Sequence, residues 1–174
     1  MIPKDLQTHR AQKNAFLKSH PQSPWPKAAR SDFAGLDYFP YNPELDLTLK
    51  AERFAEPESV TLTTNTGEIR DYERWGQVHF QVDGHAVSLT LYWARDHFFL
   101  PFTDATSGAQ TYGAGRYLDP EQTRDDIFRI DFNRAYAPFC AYSEAYSCPL
   151  PPAENRLSVA IRAGEKTAPK PGAP

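Results

Sequence analysis

Asp83-Gly84 lies between two stretches of alternating apolar residues, QVHFQV and AVSLTLYW. Asp-Gly is the chemistry of a two-residue hairpin turn, because both central positions must take positive φ. Such a turn pairs Val82 with His85, Phe80 with Val87 and Val78 with Leu89. A second turn at Arg95-Asp96 sets Trp93 against Phe98, Leu91 against Leu100 and Leu89 against Phe102. A slip of one residue at either turn would send these side chains to the opposite face. Two turns placed independently thus give one continuous apolar face, and the sequence predicts a three-stranded antiparallel meander at the centre of the fold. His79, Gln81, Ser88 and Thr90 alternate onto the other face, where water is the expected neighbour.

The same period of two recurs in LDLTLKAERF, SVTLTT, DIFRIDFN and RLSVAIRAG, which are read as further strands. Phe128, Ile130 and Phe132 point to one side of the third of these; Arg129, Asp131 and Asn133 point to the other. The chain has 16 prolines against 9 glycines, which favours rigid turns over long helices. One helix is predicted, over residues 3–18, with Pro3 in its first turn and HPQSPWP ending it. DFAGLDYFPYNP should then run extended with its rings tucked inward. The expected fold is mainly β, an antiparallel barrel or sandwich with a central meander and one N-terminal helix. It forms a single domain over residues 1–166, followed by a disordered tail, 167–174.

A net charge of −3 gives no electrostatic reason to expect nucleic acid. No apolar run approaches the roughly 20 residues of a membrane span. The first residues hold no apolar stretch of signal-peptide length, so the chain as written is expected in the cytoplasm. GxSxG, HExxH, P-loop and GxGxxG signatures do not occur. Enzymatic activity is therefore uncertain, and any cofactor is unknown.

The chemically loaded stretch is 104–155. It carries Tyr112, Tyr117, Tyr136, Tyr142 and Tyr146 together with both cysteines. Tyrosine, with an apolar body and a polar tip, suits a pocket wall and equally the rim of a small β-core. TSGAQTYGAGRYLD, residues 106–119, is a glycine-rich loop whose N–H groups could form an anion-binding concavity, with Arg116 as a bidentate clamp. Arg116 could equally pair with Asp104, Asp131 or Glu154. Asp104 is expected to accept the N–H groups of Thr106 or Ser107 in an Asx turn.

Cys140 and Cys148 enclose seven residues and form a candidate disulfide, a bridge or a pair poised to make one. Two buried thiols are the alternative, and the pair stands apart from any metal-ligand set, so no metal site is predicted. The first functional expectation is a domain binding a small polar or anionic ligand in a Tyr/Arg-lined pocket, through Tyr112, Arg116, Asn133, Tyr136, Tyr142 and Asn155. A hydrolase or transferase with Asp131 or Glu154 as base and Arg116 stabilising charge is the second. A protein–protein interaction domain without a small ligand is the third.

PFTDATSGAQTYGAGRYLD, IDFNRAYAPFCAYSEAYSCPLPPAEN and RLSVAIRAGEK resemble a bacterial family of uncharacterised proteins, domain of unknown function 1684. The N-terminal likeness rests on Arg10-x-x-Lys13-x-x-Phe16, Ser23-Pro24 and FAGLDYFPYNP. The resemblance implies a shared domain with its signature in the loaded half, and no activity. It also implies a pocket shared by Tyr112, Arg116, Asp131, Asn133, Cys140, Cys148, Glu154 and Asn155. Similar proteins often carry an export or lipid-anchor leader, so the resemblance leaves export open.

Overall fold

The computed structural model describes residues 1–168. Most of the expected tail, 169–174, lies outside the described residues, whereas the Thr167 N–H donates to the Gln110 carbonyl at 2.9 Å. Helix α1 spans Lys4–Ser19, with Pro3 at its N-cap and Pro21 beyond its end. Leu6 and Leu17 are the helix residues driven fully into the protein. The segment after it runs extended as expected, burying Phe33, Leu36 and Phe39. Among the described residues no helix is long and apolar enough to cross a membrane.

Eight strands follow: β1 Asp46–Lys50, β2 Glu52–Thr63, β3 Ile69–Val82, β4 His85–Trp93, β5 Phe98–Phe102, β6 Arg116–Leu118, β7 Glu121–Arg124 and β8 Ile127–Asp131. They form two antiparallel sheets, of order β2-β3-β4-β5-β6 and β1-β8-β7. The larger sheet ends at β2 and β6, which do not pair with each other, so it does not close into a barrel. The two sheets pack on one core, in which Val78, Phe80, Leu89, Leu91, Leu100 and Phe102 meet Phe128, Ile130 and Phe132. The stretch LDLTLKAERF does not form one strand. It divides at buried Ala51, sending Asp46–Lys50 to the small sheet and the rest into the long β2.

The Asp83-Gly84 hairpin has the predicted register, with Val82 opposite His85, Phe80 opposite Val87 and Val78 opposite Leu89. Both turn residues have positive φ, 49° and 78°. A bulge between Arg74 and Gly76 gives Trp75 an extra place in β3, where it packs edge-on against Phe98 and Phe128. The second hairpin keeps Trp93 opposite Phe98, but its ladder ends at Tyr92 and Phe99. Leu91, Leu100, Leu89 and Phe102 share the core without being ladder partners across β4 and β5. The next bonded position would place Thr90 opposite Pro101, and Pro101 has no N–H to offer.

Asn155 fills that gap. Its Oδ1 accepts the Thr90 N–H at 2.8 Å, while its Nδ2 donates to the carbonyls of Thr90 at 2.9 Å and Pro101 at 2.8 Å. The face expected to be wet is therefore only partly so. His79 and Gln81 are exposed, Ser88 is half-buried, and Thr90 is fully covered.

RLSVAIRAG, read as a last strand, corresponds to no regular strand. Thr103 and Arg156 form a single parallel bridge. Around it, the Leu157 N–H donates to the Thr103 carbonyl at 2.8 Å and the Ala105 N–H to the Val159 carbonyl at 2.9 Å; past Val159 side chains take over, with Asp104 accepting the Ile161 N–H and Arg116 donating to the carbonyls of Ile161, Ala163 and Glu165.

Candidate functional site

The glycine-rich loop turns inward. Gly115 has φ of +105°, and a Cβ there would stand 2.6 Å from the Phe102 carbonyl oxygen, so only glycine lets the chain pass this close to β5. That approach sets Arg116 at the start of β6 with 1% of its surface exposed. Its guanidinium donates to three backbone carbonyls and lies 3.6 Å from Asp104. Asp104 accepts the hydroxyl of Thr106 and the N–H of Ile161 at 2.6 Å. Its carboxylate thus takes hydroxyls and a distant N–H, in place of the N–H groups of Thr106 and Ser107. The Thr106 carbonyl in turn accepts the N–H groups of Ala109, Gln110 and Thr111. The loop is a closed internal network around a buried charge, and the guanidinium faces backbone rather than an open concavity.

Several other candidate residues occupy similar positions. Asn133 is fully buried, exchanging hydrogen bonds with the backbone of Asn42 on both its amide atoms. Tyr142 donates to the buried carboxylate of Glu165, which also receives Lys13 Nζ at 2.6 Å. Tyr112 reaches the Cys140 sulfur at 3.7 Å. Glu154 is gripped by Arg74 through two nitrogens and accepts the Tyr92 hydroxyl. Burial would raise the Glu154 carboxyl, but the Arg74 and Tyr92 bonds outweigh it and hold the group below the usual range. Cys140 and Cys148 are both free and buried, and the Cys140 N–H donates to the Cys148 sulfur at 3.3 Å.

Two of the candidates, Asp131 and Tyr136, do line one cavity, a cleft of about 460 Å³ between α1 and the strands β6–β8. Its floor is apolar, from Leu118, Pro120 and Ile130. Asp5 and His9 enter from α1, one turn apart, and Arg129 and Arg134 from the far side. The arginines are already neutralised. Arg134 bonds Asp5 and lies 3.3 Å from Asp131; Arg129 takes Asp46 in a bidentate pair at 2.8 and 2.9 Å. Burial, with the charge of Arg134 next, pulls the His9 imidazole below its ordinary range and favours its neutral form.

Asp119 is different. Among the described residues it forms no ion pair, and its carboxylate receives the Tyr136 hydroxyl at 3.0 Å. The cleft is open, so solvent reaches the residue, yet protein surrounds the carboxyl on several sides. That burial raises it above the ordinary carboxylate range, against the opposing pull of the Tyr136 bond. Tyr136 is held in place by two backbone bonds with Tyr117 of β6. A carboxylate bonded to a phenol, over an apolar floor and in a cleft that His9 also lines, suits a small molecule that brings its own positive charge or hydroxyl groups.

Asp5, His9 and Asp119 were not among the residues predicted for the site. Asp119 ends the loop that drew attention to Arg116, but no spacing marks it, and the α1 residues lie more than a hundred positions away.

The family model described as protein of unknown function (DUF1684) matches residues 31–166. The solution NMR structure of an uncharacterised protein from Haloarcula marismortui is similar to this chain at 40% identity and a TM-score of 0.74, covering 94% of this chain and 92% of its own. No curated protein matches the chain.

Proposed function

The chain belongs to the DUF1684 family of proteins of unknown function, and from that premise we propose that it is a binding domain for a small polar molecule, seated in the cleft between α1 and β6–β8. Asp119 holds a cationic or hydroxyl group of the ligand, Tyr136 orients that carboxylate, and Leu118 and Ile130 cover the ligand's apolar part. The observation that carries this reading is the Asp119 carboxylate, which stands in a concave site with no cation against it among the described residues. A carboxylate with a perturbed affinity for its proton, set in a concave site, is a natural contact for a ligand. The cleft is Tyr- and Arg-lined, but its arginines already serve Asp5, Asp46 and Asp131. That favours an amine-bearing or hydroxylated ligand over an anion.

Thermal unfolding in the presence of a panel of small primary amines, polyols and carboxylates tests this. One or more amines or polyols should raise the Tm of the wild type, and Asp119→Asn should abolish the rise. Stabilisation confined to carboxylates, or a rise that survives Asp119→Asn, would remove Asp119 from the role.

A further inference from the structure

Cys140 and Cys148 lie outside the cleft and play no part in the proposed binding. We infer that they form a reversible dithiol–disulfide site, with Cys148 as the attacking thiol and Cys140 as the resolving one, that reacts with low-molecular-weight disulfides.

The backbone brings the two sulfurs together in the reduced protein. Cys148 is pinned to the turn between β2 and β3: its N–H donates to Asn65 Oδ1 at 2.6 Å, and its carbonyl accepts the Asn65 N–H at 3.1 Å. Two residues on, the Leu150 N–H donates to the Thr63 carbonyl at 2.8 Å. Cys140 sits in a single 3-10 turn, Phe139–Ala141, entered through Pro138. Its N–H donates to the Cys148 sulfur at 3.3 Å, which sets the two cysteines side by side. The residues between them include Glu144 and Ala145, which are exposed and free to absorb the small shift that a bond requires.

The surroundings also tell the two sulfurs apart. The Cys140 thiol donates to Cys148, and the Cys140 N–H and the charge of Arg70 act in the same direction, so Cys148 is favoured as thiolate despite its burial. Cys140 keeps its proton, held by its bond to Cys148 and by burial. The nucleophile in thiol–disulfide exchange is the thiolate. Beside the buried pair, the exposed ring of Phe139 packs edge-on against Tyr146, so one layer of aromatic side chains separates the sulfurs from solvent on this side.

The reaction balances as two exchanges. The Cys148 thiolate attacks one sulfur of a disulfide RSSR, forming a Cys148–SR mixed disulfide and releasing RS⁻. That thiolate takes the proton of Cys140. The Cys140 thiolate then attacks the Cys148 sulfur, closing the internal bond and releasing a second RS⁻. The protein gives up two electrons and one proton, and RSSR becomes RSH and RS⁻.

The test equilibrates the purified full chain with mixtures of reduced and oxidised glutathione, quenches with acid, alkylates the remaining thiols and weighs the intact protein. Two species should interconvert reversibly: one doubly alkylated, and one unalkylated and lighter than the reduced chain by two hydrogen atoms. In Cys140→Ser, a glutathione adduct should accumulate on Cys148. In Cys148→Ser, adduct formation at Cys140 should be slower by about tenfold or more, since the favoured thiolate is gone. Persistent glutathione adducts on the wild type without an internal bond would overturn the inference. So would oxidation that occurs only after denaturation, or faster reaction at Cys140 than at Cys148.

Discussion

Arg116 and Asp119 stand three residues apart and illustrate opposite fates for a charge. Arg116 is buried, with its donors on the carbonyls of Ile161, Ala163 and Glu165 and with Asp104 nearby. Removing it leaves those carbonyls without partners and takes away the cation that faces the buried Asp104 carboxylate. Arg116→Ala should therefore cost about 3–5 kcal/mol of stability, read by urea denaturation. Arg116→Lys should rescue little, because an ammonium cannot reproduce the planar fork that reaches several carbonyls at once. A folded Arg116→Ala protein of near wild-type stability would mean that the network is not what orders the last segment. Asp119, by contrast, forms no ion pair among the described residues and is met by the Tyr136 hydroxyl.

At the scale of elements, α1 is attached through both apolar and ionic contacts. Leu6 and Leu17 dock it, and Lys13 reaches the fully buried carboxylate of Glu165, which Tyr142 also bonds. Lys13→Ala should destabilise the protein by about 3 kcal/mol, since it strands a buried carboxylate. Changing both partners, Lys13→Met with Glu165→Gln, should recover much of that loss in the same denaturation measurement. Equal losses in the single and the double variant would show that the ion pair is not the link. Because Asp5 and His9 form one wall of the cleft, loosening α1 should also weaken ligand binding there.

At the scale of the whole molecule, the legible parts of the fold are those carried by local chemistry. Asp83-Gly84 specifies a turn, the turn specifies a register, and the alternation on either side specifies a face. Pro3 and HPQSPWP bracket α1 in the same way. The illegible parts depend on partners distant in sequence. RLSVAIRAG has the period of a strand, but past Val159 Arg116 and Asp104 claim its backbone groups, and nothing in the segment itself reveals that. Pro101 could have warned that the β4–β5 ladder would stop, but not that Asn155 would supply the missing bonds. Tyr136 and Asp131 were singled out by residue type, whereas Asp119, Asp5 and His9 acquire meaning only when α1 closes over β6–β8.

Asp119 stands in the cleft without an ion pair among the described residues, its carboxyl raised by burial against the pull of the Tyr136 bond and of His97. Its carboxyl is raised in the native protein by burial, so the native state binds that proton more tightly than the unfolded chain does. The resulting stability is present below the unfolded carboxylate range and is lost as pH rises through the native value. Asn at this position cannot ionise. The measurement is Tm against pH for the wild type and Asp119→Asn, without ligand. Asp119→Asn should be the more stable protein at neutral pH, and its advantage should shrink to nothing as the pH falls below the ordinary carboxylate range. An Asp119→Asn protein less stable than wild type at neutral pH, with the deficit vanishing in acid, would mean that the carboxylate is paired and structural, and would contradict the account.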